Sequence, residues 1–231
     1  MTKGKARFFY NDDPEQPIKA GGSLLYKVNH TTKDIDLLLI RNTQKDKYED
    51  FGGRVDDQDT CIKETIAREV EEESNRIFKR KNVVKKLRTK NSVYFKNSKY
   101  VIFITALSKR HLNIDVSKFG SRETHDCLDR TVEWVPFSKY KQNSFIKSLN
   151  FRLKFKELFD KLIQLKRSHF GNSIDATYDQ KVLEIPAPDN SYCRIDRNTN
   201  LFLETDSDSN DQPVHIKKPI SSNLFAQADS A

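Results

Sequence analysis

Four charged side chains near residue 70 have the types and spacing that metal-ion chemistry requires. They are Arg68, Glu69, Glu72 and Glu73, in the run Arg-Glu-Val-Glu-Glu-Glu. On an α-helix, residues three and four apart share a face, so Glu69, Glu72 and Glu73 point the same way. Three carboxylates on one face repel one another unless a cation lies between them, and oxygen ligands select hard cations such as Mg²⁺ or Mn²⁺. The spacing therefore predicts a divalent-metal site, and the alternative is a solvated glutamate face.

The residues before this run favour the metal site. Gly52 and Gly53 allow the backbone to approach a ligand closely and leave its carbonyl oxygens free. A helix over 61–75, capped by Asp59 or Thr60, has an apolar stripe that would dock on a core while the glutamates face outward. The residues of this stripe are Ile62, Ile66 and Val70.

The stretch 53–75 resembles the Nudix box, the signature of the Nudix hydrolase superfamily. That box is a glycine, five residues, an acid, seven residues, then Arg-Glu-aliphatic-x-Glu-Glu-x-Gly. Gly53 opens the match and Asp59 takes the acid position, with Asp in place of the usual Glu. Eight residues, not seven, separate Asp59 from Arg68, and the extra one lies in a turn, where a loop absorbs it. Asn75 stands where Gly is usual, and Asn tolerates the left-handed conformation that ends a helix. The second half of the box is matched by Arg68, Glu69, Val70, Glu72 and Glu73.

The resemblance implies an α/β fold, an α/β/α sandwich with a mixed curved sheet between the motif helix and a C-terminal helix. It covers about residues 18–167, so that 1–17 form a lead-in and 168–231 a polar, acidic extension that is partly disordered. The Glu-Trp-Val-Pro sequence at 133–136, before a final helix, is a softer similarity to the same family.

The resemblance also implies a reaction and a set of ligands. The reaction is hydrolysis of a pyrophosphate bond in a nucleoside diphosphate linked to another group, with Mg²⁺ or Mn²⁺ as cofactor. The ligands implied are the carbonyl of Gly53 and the carboxylates of Glu69, Glu72 and Glu73.

Several roles follow from the same resemblance. Arg68 would orient one of the glutamates, and Glu72 or Glu73 would activate water. A base supplied by a loop elsewhere is equally open, with Glu123 and Glu133 as candidates. The acid at the box position, Asp59, contributes either through a water or only structurally.

Alternation and turn residues predict the elements that position this site. The strands 21–28 and 35–41 should form a hairpin, and a short strand at 48–51 runs into the glycine pair. The remaining predicted elements are strands at 92–96, 99–107 and 132–137, an irregular loop at 110–129 and a helix at 145–165. The basic segment 79–90 is too short and too charged for a core element, so we expect a loop plus a strand edge there.

Charge is unevenly distributed along the 231 residues. The net charge is +8, residues 170–231 carry −5, and residues 1–169 therefore carry +13. This surplus favours a polyanionic partner such as RNA or a highly phosphorylated small molecule, although solubility alone can explain it. We expect the helix at 145–165 to pack on the sheet with its basic face outward, and the alternative is a basic helix that lies on a membrane or on nucleic acid. The side chains expected to contact substrate are Arg41, Arg54, Lys85, Lys86 and Arg88.

Other classes of protein find little support in the sequence. No apolar run approaches the ~20 residues that span a membrane, and residues 1–13 lack the apolar segment of a signal peptide. Cys61, Cys127 and Cys193 form no CxxC pair, which fits a reducing compartment, so we expect a cytoplasmic protein. The five histidines are scattered, no glycine-rich phosphate loop occurs, and no partner protein is indicated.

We therefore predict a Mg²⁺- or Mn²⁺-dependent hydrolase of a nucleotide-type or polyphosphate substrate, with the 5′ cap of mRNA (decapping) as the leading candidate. Diphosphoinositol phosphates, other nucleotides and sugar nucleotides are alternatives within the same reaction class. A non-catalytic module that binds RNA or a nucleotide is the alternative from another class. The longer turn and Asp59 permit it, whereas the retained Arg68 and three glutamates argue against it.

Overall fold

A mixed seven-stranded sheet organises the chain in the computed structural model, which describes residues 7–171. The strands are β1 (Phe8–Phe9), β2 (Pro17–Ile18), β3 (Ala20–Asn29), β4 (Asp34–Asn42), β5 (Lys47–Glu49), β6 (Phe51–Arg54), β7 (Ser92–Phe95), β8 (Tyr100–Ala106) and β9 (Arg130–Pro136). The helices are α1 (Ile62–Glu73), α2 (Arg80–Val84), α3 (Phe137–Tyr140), α4 (Asn143–Ile146) and α5 (Lys156–Phe170).

Strand β3 lies at the centre of the sheet. It pairs in parallel with β8 and antiparallel with β4 and β6, while β4 also pairs with β5 and β9, and β7 pairs with β8. The β3–β4 hairpin confirms the pairing predicted for 21–28 and 35–41, with Leu25 opposite Leu38. The short strand predicted at 48–51 is two strands, because β5 pairs with β4 whereas β6 crosses to β3. The small pair β1–β2 stands outside this sheet.

Apolar side chains cover both faces of the sheet and form two cores. Alternate residues of each strand point to opposite faces, so neighbouring residues of one strand belong to different cores. The core on the motif-helix side, here called the α1 core, includes Leu25, Leu38, Ile40, Phe51, Ile66, Val70, Val101, Phe103 and Val132. The opposite one, here called the α5 core, includes Leu24, Leu37, Leu39, Ile102, Ile104, Val135, Leu158, Phe159 and Leu162. A mixed sheet between two helical layers is the fold that the sequence predicts.

Helix α1 forms where the apolar stripe predicts it. Ile66 and Val70 are fully buried in the α1 core, and Asn75 adopts a positive φ of 50° just after the helix ends. The predicted cap is wrong, because Cys61 occupies the N-cap position without a side-chain hydrogen bond. The carboxylate of Asp59, which was expected at that position, is instead hydrogen-bonded to Arg68.

The basic segment 79–90 is part of the fold, and the loop predicted there is wrong. It contains α2, and Val83 and Leu87 are buried in the α1 core, with 6% and 1% of their surfaces exposed. Val83 is on α2 and Leu87 comes three residues after its end, whereas Lys81, Lys85 and Arg88 are exposed.

The single helix predicted over 145–165 is also wrong. The segment consists of α4, a short 3₁₀ turn at Phe151–Lys154, and α5, which continues to Phe170. The break occurs because residues 148–150 bond to the edge strand β5. The Tyr48 N–H donates to the Ser148 carbonyl at 2.9 Å, and the Asn150 N–H donates to the Tyr48 carbonyl at 2.8 Å. Helical periodicity could not reveal this competing partner.

The remaining predictions concern the loops and the end of the chain. Residues 110–129 contain the 3₁₀ turn Val116–Phe119, and Phe119 is fully buried in the α1 core. The predicted extension 168–231 lies outside the described residues, apart from the last residues of α5 and Gly171. Within residues 7–171, the helices are too short or too polar to cross a membrane.

Candidate active site

Gly52, Gly53 and the box glutamates meet where β6 passes the last two turns of α1. Gly53 faces the helix, and a Cβ atom added to it would lie only 2.4 Å from the carboxylate of Glu69. Only glycine therefore allows this approach of strand and carboxylate. One turn further along α1, Glu73 accepts a hydrogen bond from the Gly52 N–H at 2.6 Å. Each of these two glycines thus contacts one box glutamate.

Arg68 gathers the carboxylates at this end of the helix. Its Nη1 atom lies 2.8 Å from Glu69 Oε1 and 3.0 Å from Glu72 Oε2, and its Nη2 atom lies 3.2 Å from Asp59 Oδ2. Nη2 also donates to the carbonyl of Arg54 at 2.9 Å. The guanidinium therefore joins β6, the turn and α1 into one unit.

Asp59 is buried and binds Arg68 within this unit. Only 1% of its side chain is exposed, and its carboxylate accepts from Arg68 and from the Asp56 N–H at 2.8 Å. Burial acts against the charged carboxylate, but the hydrogen bonds from Arg68 and Asp56 lower the pKa of Asp59. Of the two roles left open for Asp59, these contacts support the structural one.

The turn with the extra residue is held from outside the box. Arg7 donates to the Asp57 carbonyl at 2.7 Å and to the Asp59 carbonyl at 3.1 Å. Within the turn, the Asp59 N–H donates to the Asp56 carbonyl at 3.1 Å. The longer turn is therefore ordered by hydrogen bonds, and the residue of the lead-in that supplies them has a definite function in the fold.

The loop before β9 lies against the C-terminal end of α1, and Asn75 holds it there. The Asn75 amide donates to the carbonyls of Phe119 at 2.7 Å and Arg122 at 3.0 Å, and its Oδ1 accepts from the backbone and hydroxyl of Thr124, both at 2.9 Å. The adjacent Glu123 is 5% exposed. A glycine at the Asn75 position would permit the same backbone but could make none of these side-chain bonds.

Burial and mutual repulsion make these carboxylates hard to ionise. Burial, with Glu72 and Asp126 adding to it and Arg68 opposing it, raises the pKa of Glu69 to about 7. Burial and the charges of Glu69 and Glu123 raise the pKa of Glu73 well above its usual range. The pKa of Glu123 is raised by burial and by Asp126. A cation at this cluster would relieve the repulsion, so the donor set fits a hard divalent ion.

The loop carries a second group of candidate ligands. Glu123, His125 and Asp126 offer ligand atoms within 4.8 Å of one another, and they are the one such trio among residues 7–171. The His125 Nδ1 atom lies 2.8 Å from Asp126 Oδ1. A groove of about 400 Å³ lies beside the contact between this loop and the end of α1, and it is lined by Glu71, Glu72, Asn75, Arg76, Thr124 and His125.

The two predicted loop bases lie on different sides of the sheet. Glu123 lies near enough to Glu73 for their charges to interact. Glu133 is on the face of β9 that meets the α5 core, and it accepts a hydrogen bond from the Tyr48 hydroxyl at 2.9 Å. The sheet therefore separates Glu133 from the glutamates of α1, and this geometry favours Glu123.

The predicted substrate side chains are dispersed. Arg41 lies beside Tyr48 and binds Asp46 at 2.6 Å, away from α1. Arg54 is exposed next to Gly53, and Lys85 and Arg88 are exposed on and after α2. Lys86 donates to the Ala106 carbonyl at 3.0 Å, and burial and Arg110 lower its pKa. Among these five residues, only Arg54 is adjacent in sequence to Gly53, the glycine that contacts Glu69.

Sequence reasoning missed a buried network on the other side of Gly52. The Tyr100 hydroxyl donates to Asp50 Oδ2 at 2.8 Å, and Arg152 lies 4.2 Å from the centre of the Tyr100 ring and 3.7 Å from the second Asp50 oxygen. A Cβ atom on Gly22 or Gly52 would collide with this network. Its signal in the sequence was the acidic pair Glu49-Asp50 directly before Phe51.

Comparisons with known proteins concern the fold. The Ap4A hydrolase of C. elegans, in a binary complex, is similar with a TM-score of 0.43 and 16% identity over 67% of this chain and 99% of that one. Another structure of the C. elegans Ap4A hydrolase has a TM-score of 0.39 and 17% identity over 66% and 97% of the two chains. A MutT/nudix family protein from Enterococcus faecalis has a TM-score of 0.35 and 14% identity over 52% and 44%.

Of these names, that of the Enterococcus faecalis protein includes the family that the box resembles. No protein-family model matches the sequence, and no curated protein matches it.

Proposed function

We propose that the protein is a Nudix-type hydrolase that cleaves a pyrophosphate bond with the help of Mg²⁺ or Mn²⁺. One observation carries the proposal: Glu69 and Glu72 both pair with Arg68, and Glu73 accepts from the Gly52 N–H, at the point where Gly53 admits the Glu69 carboxylate. A solvated glutamate face would have no need of a glycine opposite the Glu69 carboxylate or of an arginine between Glu69 and Glu72. The arrangement therefore favours a site for a cation over the solvated face.

The residues of the chain would divide the work as follows. The Gly53 carbonyl and the three glutamates would hold the metal, which when bound would screen the charge of a diphosphate and acidify a water. Arg68 orients Glu69 and Glu72, and the Gly52 N–H fixes Glu73. Glu123, Glu72 and Glu73 are the candidates for accepting the proton of the attacking water.

The reaction is tested by assaying pyrophosphate hydrolysis with Mg²⁺, with Mn²⁺ and with EDTA. We expect metal-dependent turnover that falls by about 10²-fold or more in Glu72→Gln and Glu73→Gln. Glu71→Gln is the matched control, because Glu71 is on the same helix but pairs with Lys79 at 4.0 Å. Equal losses in all three variants, or RNA binding without turnover in the wild type, would refute the enzyme and favour a binding module.

For the substrate, we propose the capped 5′ end of an RNA. The support is electrostatic: residues 1–169 carry a net charge of +13, and Lys81 on α2 is exposed, as are Lys85 and Arg88 just after this helix. Exposed basic side chains of this kind suit the phosphates of an RNA chain, which a free cap lacks. Inositol pyrophosphates would benefit from the same charge, so they belong in the test.

The substrate experiment compares rates on capped RNA, on the cap dinucleotide and on an inositol pyrophosphate. We expect capped RNA to be fastest, and its rate to fall with added salt and in the double variant Lys85→Gln, Arg88→Gln. Lys156→Gln, an exposed position on α5, is the control for a lost charge. A rate on RNA no higher than on the free cap dinucleotide, with no salt dependence, would exclude the RNA substrate.

A further inference from the structure

Arg130 is a buried arginine whose guanidinium has no hydrogen-bond partner among residues 7–171. Only 3% of its surface is exposed, and its Nε, Nη1 and Nη2 atoms all lack a partner in this part of the chain. No carboxylate of these residues lies within 4.0 Å of its guanidinium. A buried unpaired charge costs several kcal/mol, and an arginine cannot escape this cost by losing its proton.

The position of Arg130 places it beside the candidate active site. It is the first residue of β9, and it lies on the same face of that strand as Val132, which packs in the α1 core. Its backbone N–H donates to the Ser121 carbonyl at 2.8 Å. This bond joins the two ends of the loop segment that carries Glu123. The charges of Glu73 and Glu123 both act on its guanidinium. Arg130 therefore lies near the carboxylates of both the motif helix and the loop.

We propose that Arg130 binds a phosphate group of the substrate. The planar guanidinium presents two parallel N–H groups that match two phosphate oxygens, which is why arginine is favoured for this task. Three unpaired nitrogens are the capacity that such a ligand needs, and a phosphate would also supply the missing counter-charge. The inference rests on the proposed function in taking the anion to be part of a pyrophosphate substrate.

A structural role for Arg130 makes a different prediction. If the residue stabilised the fold through Glu73 and Glu123, removing its charge would leave two buried carboxylates less compensated and would destabilise the protein. If it is kept for a ligand, replacing it with an apolar side chain of similar length removes a buried unpaired charge, which is neutral or stabilising.

The experiment measures the binding of inorganic pyrophosphate by calorimetry in EDTA, together with thermal unfolding of the same proteins without pyrophosphate. The variants are Arg130→Met and Arg130→Lys, and the control is Arg167→Met at an exposed position on α5. We expect pyrophosphate affinity to fall by tenfold or more in Arg130→Met and by less in Arg130→Lys, with no change in Arg167→Met. The unfolding midpoint of Arg130→Met should equal or exceed that of the wild type.

Two results would overturn the inference. One is wild-type affinity for pyrophosphate in Arg130→Met. The other is a midpoint several degrees lower in Arg130→Met that Arg130→Lys restores, because this would assign Arg130 to the fold. Hydrolysis is measured separately. Turnover together with unchanged pyrophosphate binding in Arg130→Met would refute this inference alone. Pyrophosphate binding that depends on Arg130, without any turnover, would refute the hydrolase and leave an anion site.

Discussion

At the scale of single residues, the two adjacent glycines of β6 are required for different reasons. Gly52 and Gly53 are neighbours on β6, so their missing side chains would point to opposite faces of the sheet. At Gly53 the obstacle is the carboxylate of Glu69, which is the end of a flexible side chain. At Gly52 the obstacles include the backbone of Gly21 and Gly22, at 2.5 and 2.4 Å. One glycine therefore serves the site and the other serves the sheet.

Alanine substitutions should separate these two requirements. We expect Gly53→Ala to push Glu69 aside, so that metal affinity and turnover fall at least tenfold while stability changes little. Gly52→Ala should lower the free energy of unfolding by about 1–3 kcal/mol or more, because backbone must move. Denaturant unfolding and Mn²⁺ titration of both variants would check this. The distinction fails if Gly53→Ala proves the less stable of the two.

Residue types and spacing could predict part of this site. The shared face of Glu69, Glu72 and Glu73 follows from helical geometry, and the glycines follow from the match to the box. The contact of Arg68 with Asp59 did not follow, because it depends on how a turn of unusual length folds. Arg130 left a weak signal, since it shares the alternation of Val132 on a half-buried strand, but only the three-dimensional surroundings show that it has no partner.

At the scale of elements, the end of α1 is joined to the loop that approaches it. Asn75 and Arg76 both adopt positive φ, at 50° and 64°, which brings the chain out of the helix. The side chain of Asn75 then makes four hydrogen bonds to the loop, whereas that of Arg76 is exposed. The position of Glu123 therefore depends on one amide at the C-terminal end of the motif.

Glycine substitutions at these two positions form a matched pair. Glycine tolerates positive φ, so Arg76→Gly should leave stability unchanged or raise it by up to ~1 kcal/mol. Asn75→Gly relieves the same backbone but loses the side-chain bonds, each of which contributes about 0.5–1.5 kcal/mol. We expect faster amide hydrogen exchange at 119–124 in Asn75→Gly only. Equal exchange in the two variants would show that the loop is held by other contacts.

At the scale of the whole molecule, a buried ion pair joins the α5 layer to the sheet. Lys166 of α5 lies 3.1 Å from Asp34 at the start of β4, and both residues are almost fully buried. Asp34 also accepts from the Ser138 N–H of α3 at 3.0 Å. Burial acts against its charge, but the donors of Ser138 and Lys166 lower the pKa of Asp34 below its usual value. One carboxylate thus connects three elements that are distant in sequence.

This pair predicts a pH dependence of stability. Because the folded-state pKa of Asp34 is lowered, its contribution is fully present above the unfolded-state pKa of about 3.9 and is lost as the pH falls through the folded-state value. At pH 7 we expect Asp34→Asn to cost about 3–5 kcal/mol, since it leaves Lys166 buried without its counter-charge.

The control for this prediction is the exposed pair Lys156–Asp160 on the same helix. Asp160→Asn should cost under about 0.5 kcal/mol at every pH. Unfolding in denaturant at pH 7, 5 and 3 should show the wild type and Asp34→Asn converging at the acid end. A difference that stays constant down to pH 3 would mean that the charge of Asp34 is not what stabilises the contact.

The overall architecture was more predictable than its connections. Alternation located the central strands, and the periodicity of Phe145, Leu149, Leu153 and Leu158 correctly marked buried residues even though the helix containing them is broken. The break depends on hydrogen bonds to β5, which is about 100 residues away along the chain. The core position of 79–90 was hidden by its charge, because only Val83 and Leu87 of this segment are buried.

The hydrogen bonds of Arg7 have a consequence for how the protein can be shortened. The resemblance places the start of the hydrolase domain at residue 18, yet Arg7 holds the turn that presents Asp59 to Arg68. A protein trimmed at that boundary would retain every residue of the box and lose one of the supports that fix their arrangement. The limit of recognisable similarity is therefore not the limit of the working unit, which includes at least this arginine.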